Sequence, residues 1–317
     1  MVYYVYLDPA VVTQASQHGD AGLSSLIGIL RGLLANTCIA DFDDERIRQE
    51  IGALVQAAHW PGCTEDGVKC LKMLLKRMEN QRRFIPVFGY PDDDRPEQLA
   101  QHIAHNAEKK GIDAYVSPTK NETIPSIVEQ LGLFTFSSSH FETRRQESAT
   151  NGVLLQGGDH SSDGFFKAYF LKALKHAKRV EFVDRLFADK YADHFEYTTN
   201  QILRHISSNV SDSSRISVTI HSIAPRAEGR LDHCRKTTSQ QGRNIQTEVH
   251  VYDETESMDT CLHHDRFLLT DQFAFEIGRG LDLFDMCHKK NRDVSVSFKD
   301  TKKVQAIIDA SAGCKRK

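Results

Sequence analysis

The order of apolar segments over residues 2–136 constrains this chain more than any other feature. Short runs of strand type alternate with longer segments of helical spacing. Val2-Tyr3-Tyr4-Val5-Tyr6-Leu7 opens the series, six apolar or aromatic residues ending in Asp8-Pro9. A run without polar alternation reads as a strand covered on both faces, with Asp8 at its C-terminal end. Leu23, Leu26, Ile27, Leu30 and Leu34 have helical spacing and predict a helix over 21–35. A short run, Cys38-Ile39-Ala40, leads to Asp41-Phe42-Asp43-Asp44. Ile47, Ile51, Leu54 and Val55 then share one face of a helix capped by Asp43 or Asp44. A helix is predicted over 64–82, where Thr64 followed by Glu65 and Asp66 suits an N-terminus. Residues 84–88 read as a strand and Asp92-Asp93-Asp94 as a turn. Pro96 opens a helix that Gly111 stops after Lys110. A strand over 112–116, a short helix over 124–131 and a strand over 134–136 complete the series. Strands alternating with helices predict a mostly parallel sheet with helices on both faces.

The polar stretch 142–151 is the best place for a boundary, giving an expectation of two α/β domains over 1–148 and 149–317. In the second, the pattern predicts helices over 165–177, 191–206, 227–241 and 301–310. Strands are predicted over 179–184, 216–223, 245–252 and 294–298, with a hairpin from 266–270 and 273–277. No internal repeat relates the halves. Lys315-Arg316-Lys317 reads as a frayed tail.

Composition narrows the class. Of 317 residues, 40% are hydrophobic and 26% charged, the balance of a globular chain rather than a disordered one. No stretch of about 18 apolar residues occurs, so no membrane span is expected. The N-terminus lacks the basic head and small-residue cleavage site of a signal peptide, and a cytoplasmic location is the expectation. Seven cysteines, an odd number without a CxxC pair, predict neither a disulfide framework nor a structural zinc site. The net charge is −3. Residues 1–150 hold 15 Lys and Arg against 20 Asp and Glu, whereas residues 151–317 hold 25 against 23 and ten of the 15 histidines. The imbalance is too small for a strongly basic nucleic-acid binder, but it predicts two units of different chemistry.

The strongest chemical signal is His263-His264-Asp265-Arg266, then Asp271, then Ile277-Gly278-Arg279-Gly280-Leu281-Asp282. His264 and Arg266 are two apart on an expected strand, so both side chains point to the same face. A cation beside an imidazole suits a phosphate: the cation binds nonbridging oxygens, and the imidazole attacks phosphorus or moves a proton. Gly278 and Gly280 would let backbone approach closely, and Arg279 adds a fork-shaped anion donor. The bland alternative is a satisfied polar cluster of His264 and Arg266 with Asp184 or Asp282.

These residues resemble the phospholipase-D-like superfamily, whose motif is H-x-K, four residues, D, then a glycine-containing turn. The resemblance is closest to the phospholipase-D-like domain that follows microtubule-interacting and trafficking modules, and to its bacterial relatives. It rests on His264, Asp271 and Gly278, on the blocks 264–266 and 277–282, and on the strand ending at Asp184-Arg185. It covers roughly residues 155–310. The resemblance implies His264, Arg266 and Asp271 as catalytic residues, with Arg279, Gly278, Gly280, Asp184 and Asp282 around the phosphate and no metal. Arg266 replaces the motif's lysine, and the two cations are not interchangeable. Catalytic members use two such motifs, and one occurs here, so catalysis implies a homodimer that brings two copies of His264 to one phosphate. The trafficking-associated relatives are regarded as phospholipid-binding modules without hydrolysis.

In the first half, Asp8, Asp41, Asp43, Asp44, Glu50 and Asp113 could converge at the C-terminal ends of the strands, where open α/β sheets bind ligands. The pattern resembles a PIN-type nuclease domain, in which the first acid follows an apolar strand. Pro9 and Ala10 stand where that family has a hydroxyl and an asparagine. The resemblance implies Asp8, Asp41, Asp43 and Asp113 as ligands of Mg²⁺ or Mn²⁺ for in-line attack on a phosphodiester. Both halves therefore point to nuclease or phosphodiesterase activity on nucleic acid, with a prokaryotic defence or toxin role implied by resemblance alone. The alternative is a non-catalytic adaptor that binds a phosphate, a phospholipid or a partner protein. Lesser features are the Gly157-Gly158 turn, read as a loop, the His102 and His105 pair, read as surface, Lys289-Lys290-Asn291-Arg292, read as a solvated turn with a possible basic rim, and Trp60, read as packing.

Overall fold

The computed structural model describes residues 1–89, 96–209, 215–225, 229–239, 244–253, 262 and 264–311. The expected turn at Asp92-Asp93-Asp94, His263, Cys261, Cys314 and the tail at 315–317 lie outside the described residues. The chain divides into two compact units, Val2–Ala149 and Thr150–Lys317, the latter taking in Met1. Cys38, Cys63, Cys70, Cys234 and Cys287 are free thiols. Among the described residues no helix is long and apolar enough to cross a membrane.

The first unit runs β1 (Tyr3–Leu7), α1 (Ala10–Gln17), α2 (Gly19–Asn36), β2 (Thr37–Phe42), α3 (Arg46–Ala57), α4 (Glu65–Asn80), β3 (Phe84–Phe88), α5 (Pro96–Lys110), β4 (Ala114–Val116), β5 (Glu129–Leu131) and α6 (His140–Asn151). Its sheet has the order β3-β2-β1-β4-β5 and every pairing is parallel. All five residues of β1 are buried, as an unalternated apolar run requires of a central strand. The chain steps outward from β1 to β2 and β3, then returns to build β4 and β5 on the other side. The order reverses between β1 and β4, so Asp8 stands at the switch point, where its backbone N–H donates to Val116 O at 2.9 Å.

Local pattern fails in two places here. Residues 124–131 are turns followed by β5, because Glu129, Gln130 and Leu131 pair in register with Ala114, Tyr115 and Val116. Residues 134–136 enter a 3-10 turn over Phe136–Ser138 instead of a strand, with the Thr135 hydroxyl accepting from the Gly132 N–H at 2.9 Å. The polar stretch expected to hold the boundary is helical: α6 runs through it, and the division between the units falls inside it, after Ala149. Its buried Arg145 grips buried Glu142 through Nε and Nη2, both at 2.7 Å, and donates to Asn36 Oδ1 at 3.0 Å. Composition alone reads such a segment as solvated.

The second unit runs β6 (Val153–Leu155), α7 (Ser162–Tyr169), α8 (Leu171–Leu174), β7 (Arg179–Val183), α9 (Asp193–Asn209), β8 (Ile216–Ile223), α10 (Arg230–Ser239), β9 (Ile245–Tyr252), β10 (Phe267–Thr270), β11 (Ala274–Ile277), β12 (Phe284–Asp285), β13 (Lys290–Asn291), β14 (Val294–Lys299) and α11 (Thr301–Ser311). The seven-stranded sheet has the order β6-β14-β11-β10-β7-β8-β9. β7, β8 and β9 are parallel, and the remaining pairings are antiparallel. One face packs Val183, Ile223, Phe267, Leu269 and Ala274 with Val304 and Ile308 of α11. A separate aromatic cluster joins Phe165 and Phe166 to Phe284, and Phe170 to Phe275. β12 and β13 form a small hairpin that carries Asp285 and Lys290.

Candidate anion-binding groove

The antiparallel pairing of Val183 with Phe267 brings the residue after β7, Asp184, beside the residue before β10, Arg266. Asp184 is 1% exposed. Its Oδ1 accepts from the Leu186 N–H at 3.1 Å and its Oδ2 from the Leu281 N–H at 2.7 Å. Arg266 Nε lies 3.6 Å from Oδ1, and Arg266 Nη1 donates to Gly278 O at 2.9 Å. Burial pushes the Asp184 carboxyl up to about 6, against the opposing pull of the Leu281 amide, Arg266 and the Leu186 amide.

The two glycines of this block do a different task from the one expected of them. A Cβ on Gly280, whose φ is +60°, would stand 2.2 Å from Asp184 Oδ2 and 2.4 Å from Arg266 Cδ. A Cβ on Gly278 would stand 2.6 Å from Ser295 Oγ. The close approach is to the protein's own Asp184, Arg266 and Ser295, which fill the space a ligand would need.

Beside this pair the cations gather. Arg279 donates through Nε to Asp293 O at 2.8 Å and through Nη1 to Asp282 Oδ2 at 3.3 Å. Arg292 Nε stands 3.3 Å from Asp282 Oδ1 and donates to Phe284 O at 3.1 Å, while His194 Nε2 is 3.8 Å from Asp282 Oδ1. Arg266, Arg279, Lys190 and His194 line an open hollow of about 600 Å³ with Leu154, Phe195 and Val294 on its apolar wall. Arg279, His288, Lys290 and Arg292 line an adjoining hollow of about 570 Å³, and Arg279 and Asp293 belong to both. Lys190 and His194 carry no sequence signal of their own. They reach the groove because the segment after β7 and the start of α9 stand over the 277–282 turn.

His264 and Asp271 are placed apart from this groove. β10 begins at Phe267, so 264–266 is a bend and the two-residue strand period does not apply to it. His264 is exposed, with Arg185 Nη1 2.8 Å from its Nδ1 and 2.6 Å from its Nε2, and it does not line the hollow that Arg266 lines. Asp271 follows the far end of β10, about 17 Å along the strand from Arg266 at the usual rise per residue. There its Oδ1 accepts from the Lys178 N–H at 3.1 Å. The expected catalytic trio of His264, Arg266 and Asp271 therefore does not assemble within one chain.

The acids of the first unit also separate. Asp8 Oδ1 accepts from the Ala10 N–H at 2.9 Å and its Oδ2 from the Tyr115 hydroxyl at 3.4 Å; burial raises its pKa. Burial raises Glu50 as well, and the Asp8 charge adds to that rise. Asp41 lies inside β2, not at a solvated helix start. Its carboxylate accepts the N–H groups of Phe42 and Ile47 at 2.7 Å and of Arg48 at 3.1 Å, so it caps α3 together with Asp44, whose Oδ1 accepts from the Arg46 N–H at 3.2 Å. Burial lifts the Asp41 pKa in spite of those three donors. Asp43 is exposed. Asp113 precedes β4 at the opposite end of the sheet from Asp8, and its Oδ2 accepts from the Tyr4 N–H at 2.7 Å. Among the described residues no three His, Cys, Asp or Glu side chains gather to hold a metal ion. The expected set of Asp8, Asp41, Asp43 and Asp113 does not fit Mg²⁺ or Mn²⁺, because one member is saturated by amides and another is at the wrong edge.

Comparisons with protein-family models, with curated proteins and with solved structures returned no match for this chain.

Proposed function

We propose that the second unit is a phosphate-binding module that holds its ligand without hydrolysing it. One observation carries this reading. Arg266 and Arg279 are held in place by Asp184, Asp282 and two backbone carbonyls, yet both line an open hollow. Each keeps its Nη2 group without a partner among the described residues, and so does Lys190 Nζ. Guanidinium groups fixed by second partners lose little freedom on meeting an anion, and their fork geometry matches phosphate oxygens.

Hydrolysis draws less support from the same geometry. A metal-dependent nuclease in the first unit needs converging carboxylates, and those acids are apart. Histidine catalysis needs His264 beside the phosphate, and Arg185 holds its ring elsewhere.

The test is a titration of the purified chain with inorganic phosphate and with RNA, single-stranded DNA and duplex DNA, with and without Mn²⁺. Binding is expected to weaken about tenfold or more for Arg279→Glu and to fall with added salt, without cleavage of any substrate. Cleavage abolished by Asp8→Asn or by His264→Ala restores the nuclease reading and overturns this one.

A further inference from the structure

Two hollows that share a cation raise the question of how many phosphates the groove takes. The second hollow brings together segments far apart in the chain. Gly157 and Gly158 follow β6, and the Gly157 N–H donates to Asp293 Oδ1 at 2.6 Å while the Gly158 N–H donates to Asn291 O at 2.8 Å. Both amides are spent, so this turn is no phosphate cradle. It instead anchors the β13 strand, where Lys290 Nζ donates to Gly158 O at 2.9 Å. Arg292 uses only its Nε, on Phe284 O and Asp282, which leaves both Nη groups without partners among the described residues. Two acids line this side: Asp285 is occupied by His288, and Asp293 accepts the Gly157 N–H.

Resting on the phosphate-binding reading, we propose that the hollow of Arg279, His288, Lys290 and Arg292 is a second phosphate subsite, so that the ligand is one molecule carrying two phosphate groups. Arg279 stands between the subsites and serves both. Lys190 and Arg266 complete the first subsite, and Lys290 and Arg292 complete the second. Between them Asp282, in contact with Arg279, Arg292 and His194, offsets the repulsion among the clustered cations. A single phosphate satisfies one end. Two phosphates on one molecule engage both, because the second group binds at high effective concentration once the first is held.

Calorimetric titration compares inorganic phosphate, pyrophosphate, a 5′-phosphorylated dithymidylate and a soluble inositol bisphosphate. The last two distinguish a nucleic-acid source from a lipid-headgroup source of the same chemistry. The wild-type chain is expected to bind at least one two-phosphate compound tenfold or more tightly than inorganic phosphate. Lys290→Gln with Arg292→Gln is expected to reduce that preference severalfold, and Lys190→Gln to weaken all four compounds together. Exposed Lys290→Gln alone serves as the variant least able to disturb folding, and it should reduce the preference in the same direction. Equal affinity for phosphate and every two-phosphate compound overturns the second subsite while leaving the parent reading intact. A preference unchanged in both variants overturns it too. Absence of binding for all four compounds overturns the parent reading and the subsite with it.

Discussion

The acids around the first sheet and the basic groove of the second unit differ in what their charged side chains have left to offer. In the first unit the charges are consumed internally. Asp41 accepts three amides, Asp113 accepts the Tyr4 amide, and Glu142 is paired with Arg145 inside the core. In the second unit Arg266 and Arg279 are anchored through Nε and Nη1, Arg292 through Nε, and all three keep nitrogens unspent beside open hollows. Charged residues at a sheet edge become a binding site only when the fold fixes them without satisfying them. The buried polar group that is fully satisfied contributes stability and specificity of folding instead.

The sharpest way to break this comparison is Glu142→Ala. It leaves the Arg145 charge buried and uncompensated, at a cost of about 3–5 kcal/mol in urea unfolding, and it is expected not to change phosphate affinity. A loss below about 1 kcal/mol would show that the pair is peripheral to the first unit. Gly280→Ala is the counterpart in the second unit. The new methyl group meets Asp184 and Arg266 at a left-handed backbone position, and about 2–4 kcal/mol of destabilisation is expected together with weaker phosphate binding. Retention of both properties would show that the cradle around Asp184 tolerates side chains and is no anchor for Arg266.

A third measurement uses pH. Asp184 holds its proton up to about 6, above the ordinary range of an unfolded aspartate. Between about pH 4 and 6 the folded chain then binds more protons than the unfolded chain, so this residue's contribution to stability falls as pH rises through that window and is level above it. The difference in unfolding midpoint between wild type and Asp184→Asn should change across pH 4–6 and stay flat from 7 to 8. A flat difference throughout would mean that Arg266 and the two amides keep Asp184 ionised. The smallest expected effect belongs to Asp282→Asn. Loss of a carboxylate from between His194, Arg279 and Arg292 should tighten inorganic phosphate binding by a few fold, and weakening would assign Asp282 to anchoring Arg279 instead.

Much of the scaffold is legible in residue order. The Thr64 hydroxyl accepts from the Gly67 N–H as its position before an acidic turn predicts, and Gly111 ends α5 with φ +73°. The hairpin from 266–270 and 273–277 is β10 with β11. Residues 124–131 read wrongly because three positions in register with β4 outweigh their local helical spacing, and 134–136 because the Thr135 hydroxyl ties the segment into a turn. The site was legible only as a list of types. Arg266, Arg279, Asp184 and Asp282 were singled out and do meet, whereas His264 and Asp271, drawn from the same segment, do not join them. Lys190 and His194 were silent because a lone lysine and a lone histidine in polar sequence have no pattern.

By itself, the sequence determined the alternation of strand and helix, the buried central strand β1 and the block of residues from which an anion site could be built, since periodicity and capping are local properties of the backbone. Only the tertiary structure decided which charges are spent and which are available. Asp184 receives the amide of Leu281, 97 residues away, and Asp113 that of Tyr4, 109 residues away. Hydrogen-bond capacity is settled by whichever group the fold brings within about 3 Å, and no spacing along the chain encodes that distance.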